Sequence, residues 1–231
     1  MKSSLFIAAS IFLWICSFNS CSKDRPTPPI TNAVAPPPVI TQSFTQEFNT
    51  VFSDLSAQGW VFKDYSNPSN GGWEQGYHAD KMYFGPTIAP AYSSTIGDQY
   101  NFAYAGFLQQ PVVVNAWMFT PPVTLKNGDK LSFFTKCDSI GINRLEIRLN
   151  ETDTTSVIGL QAGDAGKFTK LVGTVNSSSA IDGYPKTWTR FEYTITGLQG
   201  SITSRIAFGY SVTNPKAEGA IGIDLLNYQK L

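Results

Sequence analysis

Three stretches in which apolar and polar residues alternate with a period of two constrain the fold most. In Arg144–Leu149, three aliphatic side chains alternate with three charged ones, and Arg190–Ile195 and Arg205–Tyr210 repeat the pattern. Successive side chains of a β-strand point to opposite faces of its sheet. The period therefore predicts strands that have one face in a core and the other face in water.

Further segments extend this prediction along the chain. The apolar runs Val112–Phe119 and Leu131–Cys137 are predicted to be central strands, with the turn signal Asn127-Gly128-Asp129 between them. A second turn signal, Asn214-Pro215-Lys216, interrupts the last pair of strands. Only Ser53–Gln58 is predicted to form a helical turn or two. Strands about ten residues apart, with turns between them, predict an all-β sandwich.

The N-terminal segment has the order of a bacterial export signal. Lys2 supplies an early positive charge, the apolar run Leu5–Cys16 follows, and small residues precede a polar stretch. This order predicts a signal peptide over residues 1–20. The apolar run is too short for a permanent membrane-spanning helix, which needs about 20 residues.

Cys21 makes the export signal more specific. It follows the small residue Ser20, and this arrangement resembles a lipobox, in which the cysteine becomes the lipid-modified first residue of the mature chain. Phe18 and Asn19 depart from the stricter pattern, as in the looser lipoboxes that resemble those of Bacteroidetes-type lipoproteins. The alternatives are Cys16, which two bulky residues precede, and an ordinary secretory signal with an incidental cysteine.

The segment after Cys21 predicts where the protein is held. Bacterial lipoproteins carry several acyl chains, and several chains anchor a protein stably. Ser22-Lys23-Asp24 resembles the short charged tag that sends such lipoproteins to the outer face, so we expect an outer-membrane lipoprotein exposed at the cell surface. The periplasmic face of the membrane is the alternative. Residues 21–42 are rich in proline and predict an extended spacer, and the folded domain is expected over residues 43–231.

Composition excludes some partners and some chemistry. The 17 basic and 17 acidic residues balance, and no basic cluster appears in the sequence, so nucleic acid is not an expected partner. Cys137 is left without an intramolecular disulfide partner once Cys21 carries lipid, and its apolar run predicts a small buried side chain. The single histidine, His78, has no cluster of metal-ligating residues around it in the sequence.

Several segments, taken in chain order, carry a resemblance to a known family. They are Phe44-Thr45-Gln46-Glu47-Phe48 with Gly59-Trp60, then Gly71–Gly76, Trp117–Leu125 with its Thr-Pro-Pro sequence, Trp188–Phe191 and Gly222–Leu225. Together they resemble the choice-of-anchor J domains, which are related to the cleaved adhesin domains of bacterial surface proteins. The resemblance implies a two-sheet jelly roll of the galactose-binding-like or concanavalin-like kind, a role in adhesion or carbohydrate binding, and often one structural Ca²⁺.

The resemblance also implies a metal pair. In the family, the acid of the first strand and the acid of the last strand can lie together, and Glu47 and Asp224 occupy those positions. Ile221, Ile223 and Leu225 alternate around Asp224, which predicts that its carboxylate lies on the opposite face. The family often has a second Asp or Asn after this acid, whereas Leu225 follows here. The alternative is that both acids are solvated or hydrogen-bonded locally.

Aromatic and amide side chains give the candidate carbohydrate contacts. Tyr65–His78 combines them with glycine in a stretch that lacks periodicity, so it is predicted to be a partly exposed loop. Trp73 and Tyr77 are the first candidates for sugar contact, and Tyr184 and Trp188 are the second. The alternative is that these aromatic side chains pack in the core.

No pattern of catalytic residues stands out. The sequence has no Gly-rich phosphate loop and no Gly-x-Ser-x-Gly motif, and no pair of acids stands out as a glycosidase pair. We therefore expect a non-catalytic domain that binds a glycan or another surface protein. A structural or assembly subunit is the first alternative, and a glycan-active hydrolase is the less favoured one.

Overall fold

The computed structural model describes residues 36–50, 52–67, 72–77, 99–105, 113–137, 141–213 and 219–231. Within these ranges the chain forms one short helix, α1 (Phe52–Ala57), and thirteen strands. The strands are β1 (Phe44–Gln46), β2 (Val61–Asp64), β3 (Trp73–Tyr77), β4 (Gln99–Ala105), β5 (Val113–Phe119), β6 (Val123–Leu125), β7 (Lys130–Cys137), β8 (Leu145–Leu149), β9 (Lys170–Val175), β10 (Thr189–Thr194), β11 (Ile202–Ser204), β12 (Ile206–Thr213) and β13 (Gly219–Gln229).

Two antiparallel sheets enclose the core. In the described chain the first sheet has the order β10-β7-β13-β4-β3, with β1 paired to the end of β13. The second sheet has the order β2-β5-β12-β8-β9, and β6 and β11 form a small separate pair. The rings of Phe133 in β7 and Phe208 in β12 meet between the sheets, with their centroids 5.5 Å apart. The predicted all-β jelly-roll sandwich is confirmed.

Most of the strand predictions are confirmed. Side chains of Leu145–Leu149 alternate between buried and half-buried, as the period of two predicts. The two apolar runs form β5 and β7, and each has a strand on both sides. Gly128 lies in the turn between β6 and β7 at a φ of +95°, a left-handed conformation that glycine adopts without steric cost.

Strand β12 departs from its prediction because both of its faces are covered. Ile206, Phe208 and Tyr210 face the core and are fully buried. Ala207 on the outer face is buried as well, in a separate apolar cluster. Arg205, which was expected in water, is 7% exposed. The expectation of a solvated outer face is therefore wrong for this strand, since a loop covers it.

Strand β13 contains a bulge that changes which side chains face inward. Its pairing with β7 shifts between Asp224 and Asn227. Leu225 has a φ of +47° and lies half-buried on the outer side, while Leu226 is fully buried. The expected inward position of Leu225 is wrong, because the extra residue of a bulge moves the next side chain into the core.

The segment before Ser43 already contacts the sandwich. Residues Pro36–Leu231 form one compact unit. Ile40 donates its N–H to the carbonyl of Pro122 over 2.8 Å, so the chain joins the sandwich before Ser43. Cys137 is buried in β7, as its apolar run predicts.

The predictions for the N-terminal segment concern residues before this unit. The signal peptide, Cys21 and most of the proline-rich spacer lie outside the described residues. None of the described residues belongs to a helix that is long and apolar enough to span a bilayer.

Candidate functional site

A loop of twenty residues, residues 150–169, covers the outer face of the second sheet; we call it the cover loop. Phe168 and Ile158 of this loop pack against Trp117 and Phe119 of β5 and Ala207 of β12. The rings of Phe119 and Phe168 have their centroids 4.9 Å apart. Burial of these apolar side chains holds the loop on the sheet.

Polar side chains within the cover loop fix its conformation. The carboxylate of Asp153 accepts hydrogen bonds from the backbone and hydroxyl of Thr155, from the amide of Asn150 and from the ammonium of Lys167. The hydrogen bonds from Lys167 and Thr155 hold the pKa of Asp153 well below its ordinary value. Such local bonds replace the regular pairing that a loop lacks, so this loop has a defined shape.

Asn115 connects the far part of the cover loop to the sheet. Its buried amide group donates to the carbonyls of Gly159, Leu160 and Gln161 over 3.3–3.4 Å. Its carbonyl oxygen accepts a 2.6 Å hydrogen bond from Nε1 of Trp117. These contacts place the following residues of the loop at one end of the sheet face.

An open cleft lies at that end of the sheet face, with a volume of about 420 Å³. It is bounded by the cover loop on one side and by residues 176–183, which we call the rim turn, on the other. Ser211 of β12 accepts a 2.7 Å hydrogen bond from the N–H of Gly163, which fixes the loop wall. The lining residues are Ile142, Arg144, Glu146, Ala162, Gly163, Ser179, Ser211 and Val212. The volume falls within the range of about 300–1,000 Å³ that is usual for small-molecule sites.

One acid and two guanidinium groups lie along the outer face of β8, beside the cleft. Glu146 accepts a 2.6 Å hydrogen bond from Arg144 through one oxygen and a 2.5 Å hydrogen bond from Arg148 through the other. Arg148 also donates to the carbonyls of Phe168 and Thr169 over 3.3 Å, at the end of the cover loop. The three charges are close together because alternate residues of a strand share one face.

The structure moves two of the four predicted sugar contacts into the core. Trp73 is 4% exposed and Tyr184 is 2% exposed. The stretch around Trp73, predicted as a loop, includes strand β3, which pairs with β4. Tyr184 shares a 2.6 Å hydrogen bond with Thr135, and burial raises its pKa well above the ordinary value. Neither ring offers the open face that stacking on a sugar requires, so we reassign both to the core.

The other two predicted sugar contacts have different outcomes. Trp188 is half-buried in the segment before β10, and its role as a sugar contact stays a prediction. Tyr77 ends β3, but its side chain lies outside the described part of the structure, as does His78.

The two predicted metal ligands lie at neighbouring strand ends. Gln46 of β1 pairs with Leu226 of β13, so Glu47 follows β1 on the side where Asp224 precedes the bulge. Glu47 is exposed and accepts a 3.0 Å hydrogen bond from Asn49, while Asp224 accepts one from the backbone of Leu225. No three acidic, histidine or cysteine side chains come together among the described residues. These carboxylates have the chemistry that Ca²⁺ prefers but supply only part of its six to eight oxygen ligands, so calcium stays a prediction.

A smaller hollow of about 270 Å³ lies on the outer face of the first sheet, beside the bulge. Its lining residues are Thr45, Ser132, Phe134, Arg190, Leu225 and Asn227. Arg190 is held by Glu192 over 2.7 Å on the exposed strand β10. This hollow differs from the cleft in lying on the other sheet, and its arginine is on a more exposed strand.

Sequence reasoning did not single out the cleft. Arg144 and Glu146 were identified only as water-facing members of an alternating strand. Ser179 and Ser211 carried no signal, because they come from a turn and from a strand that are distant in sequence. The alternation itself was the available clue, since it placed charges of both signs on one face of β8.

Solved structures share this fold. The K1 cleaved adhesin domain of Lys-gingipain from Porphyromonas gingivalis W83 has a TM-score of 0.52 and 17% identity, and the match covers 82% of this chain and 99% of that domain. The K2 domain of Lys-gingipain has a TM-score of 0.50 and 14% identity, covering 81% of this chain and 99% of that domain. The C-terminal CBM6 of a marine laminarinase from Zobellia galactanivorans has a TM-score of 0.40 and 12% identity, covering 82% and 100%.

Sequence comparison does not assign the chain to a family. No protein-family model matches the chain, and no curated protein matches it. At identities of 14–17%, the two adhesin domains establish the fold, an adhesin-like jelly roll.

Proposed function

We propose that this chain is a non-catalytic surface protein whose sandwich domain holds a saccharide in the cleft beside the cover loop. The observation that carries this proposal is the cleft itself, with a volume of about 420 Å³ and a wall fixed by the Gly163–Ser211 hydrogen bond. Its lining combines apolar side chains, such as Ile142 and Ala162, with hydroxyl and charged groups. Sugars present C–H groups and hydroxyls together, and this mixture suits both.

The shared fold supports a binding role. Two structures that resemble this chain at TM-scores of 0.50–0.52 are adhesin domains. The choice-of-anchor J resemblance of the sequence has the same implication, and we propose membership of that family on its account. An adhesin at a bacterial surface meets glycans or glycosylated proteins, and the cleft is the place where we propose that it holds them.

The charged groups of the cleft support binding over hydrolysis. A glycosidase of the usual kind places two carboxylates on either side of the scissile bond. Among the described lining residues, Glu146 is the one acid, and both of its oxygens accept hydrogen bonds from guanidinium groups. A single carboxylate whose two oxygens are both engaged does not supply the pair of acids that this mechanism uses.

A glycan array and calorimetry test the proposal. The sample is the mature chain from residue 21 with Cys21→Ser, so that it remains in solution without lipid. Ala162→Trp fills the cleft, and Gln199→Trp adds the same ring at an exposed position outside it. We expect saccharide binding in the parent chain and in Gln199→Trp, and its loss in Ala162→Trp. An array without any bound saccharide contradicts the proposal and favours an assembly subunit. Binding that survives in Ala162→Trp contradicts the assignment of the saccharide to the cleft.

The location of the protein is a separate proposal. Cys21 is the proposed lipid anchor of an outer-membrane lipoprotein, displayed at the cell surface on the proline-rich spacer. In cells fed a labelled fatty acid, we expect label in the parent chain and none in Cys21→Ser. External protease should degrade the domain in intact cells, whereas a domain protected until lysis contradicts surface display.

One structural Ca²⁺ held by Glu47 and Asp224 is proposed on the family resemblance. If it is bound, a chelator should lower the midpoint of thermal unfolding, and Glu47→Gln should remove that response. Asp54→Asn, at an exposed acid of α1, is the matched control. An unchanged unfolding midpoint on chelation contradicts this proposal and has no bearing on the proposal that the cleft binds a saccharide.

A further inference from the structure

We infer that the cleft selects an acidic saccharide, whose charged group Arg144 holds. The inference rests on the proposed function and makes it specific, since it names the chemical class of the ligand. Three observations support it. The charged side chains beside the cleft carry a net positive charge, and of the two guanidinium groups one is more exposed to the cleft than the other. Hydroxyl and apolar groups surround them.

The three charged side chains on the outer face beside β8 do not cancel one another. Arg144 and Arg148 share a single carboxylate, that of Glu146, so the three side chains carry a net charge of +1. Both oxygens of Glu146 are engaged by these guanidinium groups. The acid therefore repels an incoming anion less than an unpaired carboxylate would, while one positive charge is left over for a ligand.

The two arginines have different roles. Arg148 is 19% exposed and donates to the carbonyls of Phe168 and Thr169, so it fastens the end of the cover loop. Arg144 is 32% exposed and lines the cleft. The excess charge is therefore accessible at Arg144.

The hydrogen bonds of Arg144 leave room for a better acceptor. Its Nη1 donates to the carbonyl of Ser177 over 3.3 Å and to the hydroxyl of Ser179 over 3.4 Å. These distances are at or beyond the long end of the range for N–H···O bonds, whose most common length is about 2.9–3.0 Å. An anionic oxygen would bind the same donors more strongly, because charge-assisted hydrogen bonds are shorter and roughly twice as strong.

The rest of the cleft suits the neutral part of a sugar. Ser211 accepts from the N–H of Gly163, which leaves its own hydroxyl proton to donate. Ser179 supplies a second hydroxyl, and Ile142 and Ala162 supply apolar surface for the C–H groups of a ring. The carboxylate of a uronic acid and the sulfate of a sulfated sugar are the two sources of negative charge that this site accommodates. A planar carboxylate matches the two-pronged geometry of the guanidinium group.

Calorimetry with three trisaccharides tests the inference on the mature Cys21→Ser chain. The probes are a galacturonic acid trisaccharide, the neutral galactose trisaccharide of the same linkage, and a sulfated galactose trisaccharide. We expect an acidic probe to bind at least about tenfold more tightly than the neutral one, since charge-assisted hydrogen bonds are roughly twice as strong as neutral ones. Added salt should reduce this preference, because a partly exposed charge is screened. Comparison of the two acidic probes identifies whether the charge is carboxylate or sulfate.

Variants at two arginines assign the preference to the cleft. Arg144→Gln should remove the preference for the acidic probe and leave neutral binding within about twofold, whereas Arg144→Lys keeps the charge and should retain part of it. Arg190→Gln removes an exposed arginine from the hollow on the other sheet and should change nothing. Unfolding midpoints verify that each variant is folded, and Arg144→Lys serves if Arg144→Gln is not.

The outcomes separate this inference from the function on which it rests. Equal affinity of the parent chain for neutral and acidic probes overturns acid selection while the saccharide function stands. An acid preference that survives in Arg144→Gln, or that disappears in Arg190→Gln, overturns the role of Arg144. If no saccharide of any kind binds, the proposed function itself fails and this inference fails with it.

Discussion

The hydroxyl of Tyr228 donates a 2.5 Å hydrogen bond to the carboxylate of Asp129, which is fully buried. The same carboxylate accepts the backbone N–H groups of Lys126 over 2.8 Å and of Leu231 over 3.1 Å. Asp129 lies between the turn and β7, whereas Tyr228 belongs to β13. One acid therefore fastens the C-terminal strand to a turn about a hundred residues earlier in the chain.

Removal of this acid should destabilise the sandwich strongly. Asp129→Ala leaves the N–H groups of Lys126 and Leu231 without their acceptor, and the Tyr228 hydroxyl keeps only the carbonyl of Thr124 at 2.9 Å. We expect a loss of about 3 kcal/mol in the free energy of unfolding. Tyr228→Phe removes one donor and should cost about 1 kcal/mol. Urea unfolding followed by tryptophan fluorescence measures both. Glu151→Ala, at an exposed ion pair with Lys170, is the control and should change stability by less than about 1 kcal/mol. A loss as small as the control's would contradict the role of Asp129.

Arg205 should be nearly as important, although no acid faces it in the described hydrogen bonds and ion pairs. Its guanidinium group donates to the carbonyls of Gly59, Thr120 and Thr154 over 2.6–2.8 Å, and burial lowers its pKa. Arg205→Gln should reduce the free energy of unfolding by about 2–4 kcal/mol, because buried carbonyls lose a charged donor.

Hydrogen exchange adds a local measurement for this variant. Amides of the cover loop should exchange faster in Arg205→Gln, because the bond to Thr154 holds the start of that loop. Arg190→Gln, which removes an exposed arginine, should leave both the exchange and the stability unchanged. Equal effects of the two substitutions would contradict the argument from burial.

The burial of Arg205 shows what the sequence pattern does not predict. Alternation predicts strands and their inward side chains correctly, because burial on one face selects apolar residues at every second position. It does not reveal what covers the other face. The cover loop has no periodicity, and its contact with β5 and β12 depends on chain folding in three dimensions. The same outer face shows a close approach within the sheet, since a Cβ at Gly209 of β12 would lie 2.6 Å from the ring of Trp117 in β5.

The candidate site was less predictable than the fold for a related reason. Composition directs attention to aromatic side chains, but Trp73 and Tyr184 are aromatic because they fill the core. The cleft is formed by short segments that are distant in sequence, including Arg144, Gly163 and Ser211. Strand order brings these together, and a single sequence does not contain the strand order explicitly.

The bulge in β13 and strict alternation of side chains predict different leucines in the core, and mutation distinguishes them. Leu226 is fully buried, so Leu226→Ala should cost about 2–5 kcal/mol through the cavity it leaves. Leu225 is half-buried at a φ of +47°, a conformation that costs a leucine about 1–2 kcal/mol. Leu225→Gly relieves that strain and should therefore change stability by less than about 1 kcal/mol. Urea unfolding of the two variants decides the register, and the opposite ranking would place Leu225 in the core instead.

Alkaline pH should unfold the domain through its buried tyrosines. Burial raises the pKa of Tyr193 from about 10 to about 12, and burial also raises the pKa values of Tyr184 and Tyr228. Between pH 10 and 12 the unfolded chain has lost protons that the folded chain retains, so the free energy of unfolding must fall as pH rises. Below pH 10 the protonated rings are common to both states, and this contribution to stability is fully present.

Tyr193→Phe isolates one part of this effect. Its ring lies against Gly173 of β9, a contact that phenylalanine preserves, while the ionisable hydroxyl is removed. Urea unfolding at pH 9, 10.5 and 11.5 should show a shallower decline in Tyr193→Phe than in the parent chain, with the remaining slope coming from the other buried tyrosines. Tyr65→Phe, at an exposed ring, should keep the parent slope. Parallel declines of the free energy of unfolding in the parent chain and in Tyr193→Phe would mean that the Tyr193 hydroxyl reaches water in the folded state. A phenol resists ionisation more strongly in the folded state than in the unfolded chain only if folding buries it.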